Sequence, residues 1–342
     1  MPQMPTIAIV GGESLIGREV REVLQEQKFP ARVQLIGVDQ DVFTLTEQDG
    51  EAAIIPPLDE ASLTGAQIAF LAGSADSSRR ALALIARSPA RPAIIDLTYL
   101  TEDEPSARLR APLVEESEPE LPPQAIHVVA HPAASALALL LLRLDENFPV
   151  RRCLAHIFEP ASERGHRGLE ELRQQTVSLL SFQPLPKSVY DAQLGFNLLA
   201  SFGSEAPETL LSIELRIEKH LASLLSARGV SWMPSLRLVQ VPVFHGYSIS
   251  AYVEFGSPPD LAALSSALAS AQVDVRTGQA EPPDSAGFAG QSGIAVGSIA
   301  ADRNNPSAVW FWVVADNLRL MADEAVAVAR ALLRRAGAGD PA

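Results

Sequence analysis

Only one of the 342 residues is a cysteine, Cys153, so the chain can build neither a disulfide framework nor a cluster of thiolate metal ligands. One thiol still suffices for nucleophilic catalysis, so composition alone leaves a thiol enzyme open. Basic residues are scarce. Against 41 Asp and Glu stand 27 Lys and Arg, and the formal charge of −14 argues against a nucleic-acid or anionic-membrane binder. No apolar run is long enough to span a bilayer; the longest, 133–142, suits a buried helix. Residues 1–5 carry no basic region ahead of an apolar stretch, so no signal peptide is expected and the protein is read as cytoplasmic. Metal-ligand spacing is missing too: His127 and His131 are four apart, but Pro132 and the strand pattern prevent a helical pair.

What is present is a globular balance, 47% hydrophobic and 20% charged, with length for two domains. Short apolar runs at 7–10, 33–38, 68–71, 93–96 and 126–130 alternate with helical patterns. One such pattern is Ile16, Val20, Val23 and Leu24; another is Ala81, Leu82, Leu84 and Ile85, with Asp76 or Ser77 as its N-cap. The alternation implies βαβ units and a mostly parallel sheet covered on both faces. The proline-rich, acidic stretch 101–124 reads as a long surface connection. Beyond it the pattern changes. Strands are expected at 151–158, 236–243, 247–255 and 308–315, and helices near 169–180, 210–225, 261–268 and 317–335. These compose an α+β domain with an antiparallel or mixed sheet.

Gly11, Gly12 and Gly17 lie between the first strand and the first helix. Such a turn can receive a phosphate on free backbone N–H groups, or serve backbone geometry alone. The full GxGxxG fingerprint is not met, because Glu13 and Ile16 stand where it needs glycine, and Glu13 adds a negative charge where a pyrophosphate would sit. Asp39, after the second strand, is where a Rossmann domain holds a ribose hydroxyl, which favours NAD over NADP.

Six segments in order resemble the aspartate-semialdehyde dehydrogenase family over nearly the whole chain. IAIVGGESLIG is similar to its GATGxVG turn, and LQEQKFP (24–30) to its helix exit. FLAGSADS (70–77) resembles its cofactor loop, and IIDLTYL (94–100) its D-N-S-S-A strand end. GFNLLASFG (195–203) and WVVADNLRL (312–320) resemble its A-F-N and W-x-V-S-D-N-L-R-K elements. The resemblance implies a Rossmann-like parallel-sheet domain over 1–132, completed by a C-terminal helix at 317–336. An α+β catalytic and dimerisation domain is implied over 133–316. It also implies a homodimer, and NADP-dependent interconversion of an acyl phosphate and an aldehyde through a cysteine thioester.

Carried over one position at a time, that chemistry is poorly supplied. Where the family has P-N-C-S the chain reads His131-Pro132-Ala133-Ala134-Ser135, so the nucleophile falls on Ala134, or on Ala133 with a shift of one. Ser135 is read as capping or packing, and His131 as a strand-end histidine. The family's glutamine corresponds to Glu159, its substrate arginine to Gln240 and its histidine to Tyr247, with His245 two positions away. Its phosphate-binding arginine corresponds to Glu102, and a neutral amide at Gln240 cannot reproduce a bidentate grip on a carboxylate. Glu214 and Arg216 partly keep its acid–lysine substrate pair, and Arg164-Gly165-His166-Arg167-Gly168 forms a GREG-like turn.

The cofactor positions implied are Gly11, Ser14, Leu15, Ile16, Asp39, Gly73 and Asn317, which leaves a reduced NAD(P) pocket. Cys153, on the first strand of the second domain, reads as a buried structural residue. The expectation is a divergent family member without the catalytic cysteine. Its role is that of a non-catalytic homologue, a small-molecule sensor, or a subunit pairing with an active dehydrogenase. The rival expectation is a working NAD(P)-dependent semialdehyde dehydrogenase of amino-acid biosynthesis that uses altered residues.

Overall fold

A computed structural model gives the fold and describes every residue except 1–3, 39–43, 49–50, 89–90, 120, 123, 279, 336 and 338–342. The chain divides into two units, one formed by 1–130 with 321–342 and the other by 131–320.

The first unit runs β1 (Thr6–Val10), α1 (Leu15–Glu26), β2 (Arg32–Ile36), β3 (Thr44–Gln48), β4 (Glu51–Ile55), β5 (Ile68–Leu71), α2 (Ala75–Arg87), β6 (Ala93–Asp96), β7 (Ala107–Arg110) and β8 (Ile126–Val129). Six of these strands form a sheet in the order β2-β1-β5-β6-β8-β7, all neighbours parallel. Successive side chains of a strand face opposite ways, and β1 is apolar on both faces. Ile7 and Ile9 enter one core with Val20 and Val23 of α1 and with Ala325 and Val326 of the last helix. Ala8 and Val10 enter a second core with Ala81 and Ile85 of α2. Each fully buried Val or Ile among them contributes about 1.5–3 kcal/mol, and each Ala less than about 1 kcal/mol.

Three sequence readings need correction here. The stretch 101–124 is not wholly a surface connection, because Ala107–Arg110 adds β7 to the sheet edge beside β8. Its ARLR alternates small or apolar residues with arginine, as an edge strand can, and so offers no apolar run. The cap of α2 is Ser74, not Asp76 or Ser77: Ser74 Oγ accepts from Ser77 N and Ser77 Oγ returns the bond, a reciprocal capping box. The antiparallel hairpin of β3 and β4 was not foreseen.

The second unit begins with α3 (Pro132–Asn147), buried on nearly all sides, then β9 (Val150–Glu159), a 3-10 turn (Ala161–Arg164), α4 (Gly165–Leu180) and α5 (Leu210–Ala227). It continues through β10 (Ser235–Gln240), β11 (Tyr247–Phe255), α6 (Leu261–Leu268), β12 (Val273–Val275), β13 (Ile294–Ala301) and β14 (Ala308–Ala315) to α7 (Asn317–Arg335). The sheet order is β10-β9-β11-β14-β13-β12. The β10/β9 and β12/β13 pairs are parallel and the rest antiparallel, so the sheet is mixed, as expected. On β9, Cys153, Ala155, Ile157 and Glu159 are buried while Leu154 and His156 are exposed, the alternation of a half-covered sheet.

Candidate active site

The second unit gathers buried polar side chains where several elements end. Glu159 closes β9, Glu163 and Arg164 lie in the 3-10 turn, Gln240 ends β10, Tyr247 starts β11, His131 caps α3, and Asn317 opens α7. Glu159, Gln240 and Tyr247 are fully buried, and His131, His220 and Asn317 nearly so.

Arg164 organises the charges. Its guanidinium donates to Glu159 Oε1 at 3.0 Å and to Glu208 Oε2, and Arg216 donates to Glu208 Oε1 at 3.0 Å. Burial works against the charge on Arg164, but Glu159, Glu208 and Glu163 outweigh it and keep the guanidinium protonated. Burial pushes the Glu159 carboxyl up to about 7, against the pull of Arg164. Glu163 is also raised by burial; it accepts from Asn317 Nδ2 at 2.8 Å and faces the Tyr247 hydroxyl.

The two histidines are acceptors. Ala133 N donates to His131 Nδ1 at 3.3 Å, and His131 N donates to His220 Nδ1 at 2.9 Å, which assigns the ring proton of each to Nε2. Burial, then His220, Arg216 and Arg164, hold His131 well below the ordinary histidine range. It is therefore neutral, and its 3.8 Å approach to Glu163 Oε2 is no ion pair. The Tyr247 ring is tilted against His131, with centroids 6.1 Å apart. Among the described residues, Glu159 Oε2, Gln240 Oε1, Ser135 Oγ and Tyr190 Oη are buried without a hydrogen-bond partner.

The residues singled out from the sequence fall unevenly around this cluster. Ala134 is fully buried in the first turn of α3, the place implied for a nucleophile. Ser135 does not cap that helix, because His131 does. Gln240 Nε2 donates to Glu159 O at 2.8 Å, and Arg216 joins through Glu208. Glu214 points its bonding elsewhere: it accepts from Leu238 N at 2.5 Å and ties α5 to β10. Asn317 spends its amide inside the unit, accepting from Ser162 Oγ and Gly246 N while donating to Glu163. Cys153 shares the buried face of β9 with Glu159 but lies six residues earlier, about 20 Å along the strand, and burial pushes its thiol up to about 12. Sequence reading missed Glu163, Glu208 and His220. The adjacent opposite charges of Glu163 and Arg164, at the edge of the Arg164–Gly168 turn, were the signal available for Glu163; nothing local marked Glu208 or His220.

In the first unit the β1–α1 turn is a tight backbone cradle. Gly11 has φ +88°, and a Cβ there would come within 2.4 Å of the Gly73 backbone. Ser14 caps α1 by accepting from Gly17 N, and its hydroxyl donates to Ala72 O at 2.7 Å. The Leu15 and Ile16 amides, at the first two helical positions, keep the free donors of a helix start. This backbone fits a dinucleotide diphosphate. Glu13, expected beside the pyrophosphate, instead turns its carboxylate to the end of β2. Its Oε1 accepts from Val38 N at 2.9 Å just beyond β2, and its Oε2 is buried without a partner among the described residues. A carboxylate there suits ribose hydroxyls and opposes a ribose phosphate. Asp39 lies outside the described residues.

The sequence model of the semialdehyde dehydrogenase dimerisation domain matches residues 142–320. A USG-1 protein homolog of Pseudomonas aeruginosa is 30% identical over 93% of this chain and 94% of its own. The aspartate-semialdehyde dehydrogenase of Rickettsia bellii is 25% identical over 93% of this chain and 94% of its own. Among solved structures, that of a probable aspartate-semialdehyde dehydrogenase from Pseudomonas aeruginosa superposes with a TM-score of 0.80 at 26% identity, covering 98% of this chain and all of the other.

Proposed function

We propose that this chain, which belongs to the semialdehyde dehydrogenase family, keeps the family's fold and pairing surface without its thioester chemistry. It serves as a non-catalytic homologue, a ligand sensor or a partner subunit. One observation carries the reading. The only thiol of the chain is Cys153, buried on β9 with its pKa pushed up to about 12, while the implied nucleophile position is Ala134. A thiol at that pKa is essentially never a thiolate at neutral pH, and the thiolate is the nucleophile. Replacement of the substrate arginine by Gln240 and of the histidine by Tyr247 supports the same reading.

The reading includes a homodimer through the matched dimerisation domain, with a heterodimer with an active dehydrogenase as a further form. A reduced dinucleotide pocket built on Gly11, Leu15, Ile16 and Gly73 takes NAD rather than NADP, because Glu13 opposes the added phosphate. When bound, the nicotinamide would supply hydride chemistry; this chain's residues would hold the diphosphate and orient the ribose.

The test is direct. Purified protein given NADP, inorganic phosphate and aspartate semialdehyde should show no turnover above the uncatalysed rate. The Ala134→Cys variant should stay inactive, because the anion grip and base are still missing. Saturable turnover by the natural chain would establish the rival, a working dehydrogenase with altered residues. Calorimetric titration with NAD and NADP separates the remaining roles: micromolar NAD binding supports a sensor, and no binding at millimolar concentration leaves a partner subunit.

A further inference from the structure

A cavity of about 140 Å³ opens beside the start of α4, lined by Arg164, Arg167, Val189, Phe202, Pro207 and Glu208. Its chemistry is sharply divided. Val189, Phe202 and Pro207 make an apolar wall, while the other three residues bring two guanidinium groups and one carboxylate, a net positive lining. The carboxylate is already engaged, since Glu208 bridges Arg164 and Arg216 with one oxygen each. Arg167 is exposed and makes no ion pair or hydrogen bond among the described residues. Behind the wall, Tyr190 is fully buried with its ring against Phe202 at 5.4 Å, and its hydroxyl has no hydrogen-bond partner among the described residues. Arg164 Nε is buried and unpartnered as well.

We propose that this cavity binds a small organic carboxylate with a short apolar body. Arg167 holds the carboxylate together with Arg164, the body lies on Phe202 and Pro207, and Glu208 is the resident competitor for the same guanidinium. Charge selects the class of ligand, because a guanidinium fork matches a carboxylate and an apolar wall offers an inorganic anion no donors. The volume seats a small body, since about 150 Å³ accommodates six heavy atoms of a benzene-sized ring, and the open mouth leaves the carboxylate in reach of Arg167. The proposal adds a ligand to the non-catalytic reading but rests on the cavity alone. Its test reads neither turnover nor dinucleotide binding, so either can fail without the other.

The full-length chain is titrated with butyrate and with its neutral isostere butyramide at constant ionic strength, using saturation-transfer NMR. Butyrate should saturate at millimolar concentration, with butyramide at least tenfold weaker. Arg167→Ala should weaken butyrate at least tenfold at an unchanged melting temperature, because Arg167 is exposed and unpaired. Glu208→Gln should strengthen it severalfold by removing the competing charge. Absent saturation, equal affinity for acid and amide, or an unaffected Arg167→Ala variant would each overturn the site. An unchanged or lowered affinity in Glu208→Gln would overturn the competitor role.

Discussion

Gly11 and Gly73 meet backbone to backbone: a Cβ on Gly11 would fall 2.4 Å from both Cα and N of Gly73. Gly11 also sits at φ +88°, where an L side chain is strained in any surroundings. Gly11→Ala is therefore expected to cost about 2–4 kcal/mol by urea denaturation, through strain and overpacking together. Gly165→Ala is the control. Gly165 has open space around it but a backbone that only glycine holds readily (φ +62°, ψ −158°), so it reads the strain without the overpacking and should cost about 1–3 kcal/mol.

Glu171 holds the segment after α4 by its backbone. One carboxylate oxygen accepts from Ser188 Oγ at 2.9 Å and Val189 N at 2.7 Å, and the other from Tyr190 N at 3.2 Å. Glu171→Gln places a donor opposite these donors and strands buried N–H groups. The expected loss is about 2–3 kcal/mol, with faster hydrogen exchange at the Val189 and Tyr190 amides.

Two buried groups give pH dependences of opposite sign. Burial, then Arg110 and Arg335, lower His127 from 6.5 to about 4. Between those values the unfolded chain binds more protons, so stability rises with pH through the window and is lost below it. Glu159 is raised from 4.5 to about 7, so there the folded chain binds more protons and stability falls as pH climbs through that window. Denaturation midpoints between pH 4 and 7 should lose the rising contribution in His127→Gln and the falling one in Glu159→Gln. Identical profiles in the natural chain and both variants would contradict the assignments.

Phe182 and Phe196 are exposed aromatic residues in the left-handed backbone region, at φ +55° and +58°. Bulky side chains seldom hold that conformation without a use. Leu180 and Leu198 beside them are exposed too, and Gly195 packs against Leu179 of α4. Pairing of two chains through this apolar patch predicts that Phe182→Ser with Phe196→Ser weakens self-association at least tenfold in sedimentation analysis. The melting temperature of unit-level packing should hardly change, because neither ring is buried.

The parallel sheet was legible in the sequence because its central strands are covered on both faces. The runs Ile68–Leu71 and 7–10 are too short for buried helices and alternate with helical patterns, which makes them strands of a two-sided sheet. β7 escaped because an edge strand needs one face only, and its ARLR hides in proline-rich surroundings. β13 escaped because IAVGSIAA weakens its pattern with small residues at Gly297 and Ser298, where the pairing register also shifts. For the site, what is missing could be read position by position, as at Ala134, Gln240 and Tyr247. What replaces it could not. Arg164 and Glu208 are 44 residues apart on a turn and a loop, and no local periodicity relates them.

The last helix supplies Ala325, Val326, Ala329 and Leu333 to the same core as Ile7 and Ile9 of the first strand. During synthesis, then, the unit that leaves the ribosome first is the one that must wait. Its sheet can pair early, but the apolar face that α1 covers in part stays incomplete until more than 300 residues have been made, while the unit encoded in between already has its own core. A chain broken off before residue 321 would keep the candidate cluster's residues yet uncover the part of the Ile7 and Ile9 core that the last helix closes, making it a substrate for chaperones and proteases rather than a shorter working protein.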